Sequence, residues 1–324
     1  MNAQELWRPS ASMPTLRLRA RLLAAVRTFF AARDVLEVDT PCLVRHAVTD
    51  VHIHCATVQL PGHAAPLYLH SSPEYAMKRM LAAGSGDIFQ ITHVFRGHEL
   101  SPLHNAEFTL IEWYRCGYSM AALMTEVAQL AGELLALPAS APVQELRYVE
   151  AFEQELGVHP LRAQEAALRA VALAHGLEPR VADGCNRDEL LDWLMASVLA
   201  ARLGRSGLCF LHHYPASQAA LARLDPQDPQ LAMRFELYRA GVELANGFEE
   251  LSDAAQQRAR FELDRQERIR RGLSVPSIDE ALLAALGAGM SAVAGVALGF
   301  DRLLMLRLGA ERIEQVLPFA LERA

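Results

Sequence analysis

The sequence predicts an α+β fold in which an antiparallel β-sheet is flanked by helices. Strand-like runs are joined by hairpins or loops rather than by regular βαβ units. Apolar residues recur at helical spacing before, between and after these runs. With 52% hydrophobic and 21% charged residues, the 324-residue chain can bury a large core. We expect one domain over residues 1–324, with a helical insertion at about 138–218.

The first elements follow from local signals. Ser12 is placed as the N-cap of a first helix, with Pro14 in its first turn. Val35–Pro41 is a short extended run that ends in proline, which suits an edge or interface strand. A strand over Leu67–Ser71 is expected to lead into a helix that begins at Pro73.

Two strand-like runs, Ile88–Arg96 and Glu107–Arg115, flank a polar loop and predict an antiparallel pair. An amphipathic helix is expected next, and residues 138–218 resemble helices joined by short breaks. A hairpin is predicted to turn near residues 239–241. A charged helix and a final strand–helix unit complete the pattern.

Composition excludes some classes of function. The formal net charge of −7 argues against a large non-specific nucleic-acid surface, although a local basic patch remains compatible with it. Five scattered cysteines without a C-x-x-C motif are typical of reduced cytosolic thiols, so we expect a cytoplasmic protein. No signal peptide is evident. Ala281–Phe300 is uncharged, but its glycines predict a buried helix, turn and strand instead of a membrane span.

The strand pair carries the first candidate site. Alternation places Glu112 and Tyr114 on one strand face, where a carboxylate beside a phenol can bind an ammonium group. Arg96 offers a rigid fork of donors for a carboxylate or phosphate. His104 and Asn105 lie in the loop, within reach of a polyphosphate. Each alone could be a surface ion pair or a polar loop residue, but their combination favours a ligand site.

The hairpin carries a second candidate site. A turn at Arg239–Ala240 would place Glu236 directly opposite Glu243, and like charges opposed across a ladder are destabilising. A Mg²⁺ ion would remove that repulsion. A solvated pair at a sheet edge is the alternative, and both interpretations stay open. Gly247 permits close backbone approach and Glu250 adds an acid suited to an amine.

The N-termini of two predicted helices carry the remaining candidate site residues. Gly299 precedes a helix with Arg302 in its first turn, and a helix N-terminus reinforced by arginine is an anion site. A buried helix with a snorkelling arginine is the alternative. Glu74, at a strand-to-helix junction, either complements the helix dipole or holds a substrate amino group.

At these residues the chain resembles class II aminoacyl-tRNA synthetases of the lysyl branch. The resemblance extends from about residue 10 to the C-terminus and rests on motifs that follow the order of the family. The matching segments are Val35–Pro41, Phe95–Arg115, Gly295–Leu306, the ELANGFEEL segment at 243–251 and the SSPEYAMKRM segment at 71–80. No counterpart of the N-terminal anticodon-reading barrel is expected.

A lysyl-type core of this length resembles the elongation factor P–lysine ligases. The resemblance implies activation of (R)-β-lysine with ATP and Mg²⁺, transfer to a lysine side chain of elongation factor P, and a homodimer. It implies no anticodon reading and no membrane association. Two alternatives stay open: a minimal synthetase that charges tRNA with lysine, and a catalytically silent regulatory paralogue. The residues do not separate α-lysine from (R)-β-lysine, since both carry two amines and a carboxylate.

The resemblance also implies residue roles. Arg96 and Arg302 would act in catalysis and, with the ATP set, bind the phosphates. The other ATP-binding residues would be Gly97, His98, His104, Asn105, Glu243, Leu244 and Gly299. The substrate would be bound by Ser72, Pro73, Glu74, Glu112, Tyr114, Asn246, Phe248 and Glu250. The metal would be bound by Glu236 and Glu243.

The chain departs from the family at residues 96–99, which read R-G-H-E where R-N-E-E is usual. His98 therefore stands where a glutamate usually contacts adenine, and either Glu99 or the backbone takes its place. His98 favours the silent-paralogue alternative, whereas the presence of Arg96, Glu236, Glu243 and Arg302 argues against it.

Overall fold

The structure, a computed structural model, describes residues 7–97 and 100–324. It divides into two compact units. Unit 1 comprises Met1–Tyr118, Gln129–Leu137 and Ser252–Ala324, and unit 2 comprises Ser119–Ala128 and Pro138–Leu251.

The helices and strands are numbered in chain order. They are α1 (Met13–Ala31), β1 (Leu36–Glu37), β2 (Leu43–Val44), β3 (Thr57–Val58), β4 (Leu67–Leu69), α2 (Glu74–Ala82), β5 (Ile88–Phe95), β6 (Glu107–Cys116), α3 (Met120–Leu135), β7 (Val143–Arg147), α4 (Tyr148–Leu156), α5 (Glu165–Ala174), α6 (Pro179–Gly184), α7 (Arg187–Leu194), β8 (Leu208–Pro215), β9 (Leu231–Arg239), β10 (Val242–Glu249), α8 (Ala254–Arg270), α9 (Glu280–Gly289), β11 (Val293–Gly299) and α10 (Phe300–Leu308).

Unit 1 contains four strands in the order β1-β5-β6-β11 and a small sheet in the order β2-β4-β3. Strand β1 pairs with β5 in parallel, whereas β5–β6 and β6–β11 are antiparallel. Helix α1 begins at Ser12, whose side chain accepts from the Thr15 amide, as predicted. In its core Phe30 stacks on Phe89, with ring centroids 4.4 Å apart, and meets the edge of Trp113. This packing supports the strands that carry the first candidate site.

Unit 2 contains four strands in the order β10-β9-β8-β7. Strands β7 and β8 are parallel, and the other two pairs are antiparallel. The expectation of helices throughout residues 138–218 was therefore wrong for β7 and β8. Strand β8 is a short, mostly buried apolar run, and periodicity does not distinguish such a strand from a buried helix segment.

The predicted fold class is confirmed, because most strand pairs are antiparallel and helices accompany them. Asn186 caps α7 in a capping box with Glu189. The uncharged stretch at 281–300 forms most of α9, then β11 and the start of α10. In the part of the chain that the structure describes, no helix has the length and apolar character needed to span a bilayer.

The hairpin of β9 and β10 turns at Ala240 and Gly241, with φ of 51° and 80°. Positive φ at both positions is what a two-residue type I′ turn requires. Glu243 then lies opposite Tyr238, and after a bulge Glu236 lies opposite Asn246. The predicted direct pairing of Glu236 with Glu243 was wrong, because the turn is one residue later and the bulge adds a further shift. Both acids still share one face of the hairpin.

A pH-dependent stability follows from His212 in β8. Burial, together with the neighbouring His213 and Arg147, lowers its pKa to about 4. Since the unfolded histidine has a pKa near 6.5, the unfolded chain binds more protons between pH 6.5 and 4. We expect stability to fall through that window as pH drops, with a limiting slope of about 1.4 kcal/mol per pH unit from this group. Urea unfolding midpoints at several pH values test this, and His212→Asn should flatten the profile.

Candidate active site

The acid predicted to bind an ammonium group, Glu112, lies in a polar cluster of unit 1. Its side chain is only 2% exposed. One carboxylate oxygen accepts from Ser72 Oγ at 2.7 Å and the other from Tyr114 Oη at 2.7 Å. The structure thus brings Ser72 together with Glu112 and Tyr114, all three of which were predicted as substrate contacts. Two carboxylate oxygens offer about four lone-pair sites, so hydrogen bonds from two neutral donors are compatible with binding of a cation.

Glu74 joins this cluster from the start of α2, where Pro73 is the N-cap residue. Its backbone amide donates to Ser72 Oγ at 3.0 Å. Its Oε1 accepts from Lys78 Nζ at 2.7 Å, one turn further along the helix. Lys78 was not among the predicted site residues, although its i+4 spacing from Glu74 indicates an ion pair on one helix face.

Arg96 follows β5, and its backbone amide donates to the Ala106 carbonyl across the loop. Its guanidinium carbon lies 5.2 Å from the centre of the Phe108 ring. Its Nε is buried and has no hydrogen-bond partner among the described residues. A buried charged donor without an acceptor is costly, so this nitrogen favours binding of an anion.

Arg302 and His104, both predicted to contact ATP, lie against each other. Arg302 Nη2 is 2.5 Å from His104 Nε2, and His104 Nδ1 is 2.6 Å from Ser101 Oγ. Because arginine can only donate, Nε2 of His104 accepts and its Nδ1 carries the proton. This arrangement ties the guanidinium of Arg302 to the loop between β5 and β6.

Other predicted nucleotide contacts have local roles in the described structure. Asn105 donates from its Nδ2 to the Glu107 carbonyl at 2.6 Å, and its Oδ1 accepts from the Leu321 amide at 3.2 Å. The Gly97 amide donates to the His54 carbonyl at 2.7 Å. A Cβ on Gly97 would be 3.3 Å from that oxygen, so the close approach favours glycine.

Gly299 and His98 are two further residues that were predicted to contact the nucleotide. Gly299 ends β11, pairs with Leu110 and forms the N-cap of α10, as its predicted position before Arg302 requires. His98, with the neighbouring Glu99, lies outside the described residues.

In unit 2, Glu236 is held by residues on its own strand face. Its two carboxylate oxygens accept from Arg234 Nη2 and from Tyr238 Oη, each at 2.5 Å. Burial works to lower the pKa of Arg234, but Glu236, Tyr214 and Glu243 together outweigh it and the pKa is raised. Arg234 and Tyr238 were not among the predicted site residues, although the pattern R-x-E-x-Y places them on one strand face with Glu236.

The oxygen donors of this face fit a magnesium ion. Glu243 and Glu236 share the face, and Asn246 lies directly opposite Glu236. Asn246 Oδ1 is buried and has no hydrogen-bond partner among the described residues. Carboxylate and amide oxygens are ligands suited to Mg²⁺, so an orphaned amide oxygen beside two acids fits this ion.

The remaining predicted residues of unit 2 lie on or beside the same hairpin. Glu250 is buried just after β10, in a bridge with Ala222. Phe248 packs against a small cluster of buried alanines. Leu244 is buried at the bulge that follows Glu243.

Comparisons with known proteins place this geometry in a family. The family model described as tRNA synthetases class II (D, K and N) matches residues 4–323. The chain therefore belongs to the class II tRNA synthetase family, and membership implies the use of ATP. Two similar proteins are the elongation factor P–(R)-β-lysine ligases of Klebsiella pneumoniae subsp. pneumoniae and Salmonella dublin. Each is 45% identical to this chain over 328 residues, covering 100% of both chains.

Proposed function

We propose that this chain is an ATP-dependent ligase that activates (R)-β-lysine as an acyl-adenylate and transfers it to a lysine side chain of elongation factor P. The full-length identity of 45% to proteins named for that reaction supports the proposal. The observation that carries it is the buried acid cluster, in which Glu112 is held by Ser72 and Tyr114. An adenylating enzyme that places an acid there is suited to an amino acid carrying a second cationic group.

The residues of unit 1 have the chemistry for the first step. Glu112 and Glu74 would hold ammonium groups, and Arg96 would hold the substrate carboxylate and the α-phosphate. The carboxylate attacks the α-phosphorus in line and forms the mixed anhydride, while the bond to pyrophosphate breaks. Arg96 and Arg302 would stabilise the charge that develops on the phosphate oxygens. No protein nucleophile is needed, since positioning supplies the rest.

In the second step, an uncharged lysine amine of elongation factor P attacks the activated carbonyl. An amide bond forms, the bond to phosphate breaks, and AMP leaves with the electron pair. In unit 2, Glu236, Glu243 and Asn246 would hold Mg²⁺, which when bound neutralises phosphate charge. Phe248 and Glu250 would contribute to substrate binding.

The proposal is tested by an experiment in which tRNA and elongation factor P compete as acceptors of a labelled amino acid. The purified protein would be mixed with ATP, Mg²⁺, labelled (R)-β-lysine or lysine, bulk tRNA and elongation factor P. Label on elongation factor P, with (R)-β-lysine preferred, is the expected result. Label on tRNA would instead make the chain a minimal synthetase. Label on neither, with no pyrophosphate exchange, would support a silent paralogue.

We expect the chain to escape modification by its own adenylate at lysine. Its single lysine, Lys78, is 1% exposed and paired with Glu74, so its amine is inaccessible to the adenylate. Intact-mass spectrometry after incubation with ATP and (R)-β-lysine, without elongation factor P, should show no lysine adduct. Leu100→Lys adds an amine at a 64% exposed position and should acquire the adduct. An adduct on Lys78 would contradict the expectation.

We also propose a homodimer and a cytoplasmic location. The parallel strand β1 lies at one edge of its sheet and exposes Leu36, as an interface strand would. Sedimentation equilibrium tests the dimer, and Leu36→Glu should shift the mass toward a monomer.

A further inference from the structure

The single lysine of this chain occupies a special position. Among 31 basic residues only Lys78 is a lysine, so arginine supplies every other strong cation. Lys78 lies in α2 and is 1% exposed. A buried charge requires pairing, and Glu74 is one partner of Lys78.

Glu74 connects Lys78 to the acid cluster. Lys78 Nζ donates to Glu74 Oε1 at 2.7 Å, and the Glu74 backbone amide donates to Ser72 Oγ. Ser72 Oγ in turn donates to Glu112 Oε2 at 2.7 Å. The Glu74 side chain is 15% exposed, so part of it remains accessible to a ligand.

Lysine and arginine hold a carboxylate differently. An ammonium is a compact point charge, whereas a planar guanidinium can engage both carboxylate oxygens at once. The chain contains such forks: Arg258 donates to both oxygens of Glu280, and Arg270 donates to both oxygens of Glu267. An arginine at position 78 could donate to both carboxylate oxygens of Glu74 in the same way.

We propose that Lys78 is a positioning residue for the amino-acid substrate. Its ammonium holds Glu74 through Oε1 and leaves Oε2 directed at a substrate ammonium group. The inference rests on the proposed function, because it assigns Glu74 to binding of a lysine-like amine. Lys78 itself touches neither ATP nor the reacting carboxylate.

The test compares Lys78→Met and Lys78→Arg with the unmodified protein. Pyrophosphate exchange would give KM for (R)-β-lysine and for ATP, and calorimetry without ATP would give Kd for (R)-β-lysine. We expect both substitutions to raise KM and Kd for (R)-β-lysine about tenfold, the effect of misdirecting one charge-assisted hydrogen bond. KM for ATP should stay within twofold. Lys78→Met removes the ion pair with Glu74, and Lys78→Arg would engage both carboxylate oxygens of Glu74.

Arg169→Met is the matched control, since Arg169 pairs with Glu165 at the same i,i+4 spacing and also donates to the Ala182 carbonyl. It should lower the melting temperature without changing KM. A purely structural Lys78 would behave in the same way, so an unchanged KM and Kd in a folded Lys78→Met protein would overturn the proposal. If Lys78→Met does not fold, an unchanged KM and Kd for (R)-β-lysine in Lys78→Arg would overturn the proposal. Failure of the proposed function would appear separately, as absent exchange in the unmodified protein.

Discussion

Replacing Arg96 with methionine is expected to lower the rate of pyrophosphate exchange about 100- to 1,000-fold, in the range of losses for removing a preorganised transition-state donor. Its guanidinium lies against Phe108, and its buried Nε has no hydrogen-bond partner among the described residues. Charge that develops on the α-phosphate would provide the missing acceptor. The loss should therefore fall on kcat more than on the stability of the protein.

Arg33→Met provides a matched control for this experiment. Arg33 also places its guanidinium over a phenylalanine ring, 3.5 Å from the centre of Phe29. Its substitution should leave exchange within about twofold, since it removes the same kind of stacking without a phosphate contact. Arg96→Lys should recover only part of the activity, because an ammonium lacks the planar fork. Exchange by Arg96→Met within tenfold of the unmodified rate would contradict the assignment.

Replacing Asp301 with alanine is expected to destabilise the protein by about 3–5 kcal/mol, because it leaves a buried arginine without its counter-charge. Asp301 accepts from Arg19 and, at 2.6 Å, from the Thr109 backbone amide. Arg19 also donates to Thr109 Oγ1 at 2.5 Å. Asp301 is 1% exposed, so water cannot replace these contacts.

Chemical denaturation at constant pH measures this effect. Glu280→Gln breaks the ion pair with Arg258, whose two side chains are 47% and 65% exposed, and should cost at most about 1 kcal/mol. The double variant Arg19→Met/Asp301→Leu removes both buried charges and should recover much of the stability lost in Asp301→Ala. A loss below 1 kcal/mol in Asp301→Ala would show that the buried pair contributes little. Since Arg302 is the next residue, the double variant also tests whether this pair positions Arg302 for exchange.

Local sequence patterns were sufficient to predict much of the structure of unit 1. The period-two alternation of Glu107–Arg115 predicted that Glu112 and Tyr114 share a face, and their 2.7 Å hydrogen bond agrees with this. The helix start at Ser12 was also predictable, because capping depends on a few adjacent residues.

Unit 2 shows where such patterns fail. The register of β9 and β10 depends on a one-residue choice of turn and on a bulge after Glu243. When the register of two strands shifts by one residue, every cross-strand partner changes. This is why Asn246, and not Glu243, lies opposite Glu236. Strand β7 was missed because it is short and largely exposed, so its pairing with β8 defines it more than its own pattern.

The fold class, the order of the motifs and the residue types of the candidate site could all be predicted from the amino-acid sequence. These depend on local propensity, on apolar periodicity and on a resemblance that the family match confirms. Only the tertiary structure decided the partners: Lys78 for Glu74, Arg234 and Tyr238 for Glu236, and Arg19 for Asp301. Burial makes such partners obligatory, since a charge removed from water must be paired, but it does not specify which distant residue supplies the pair.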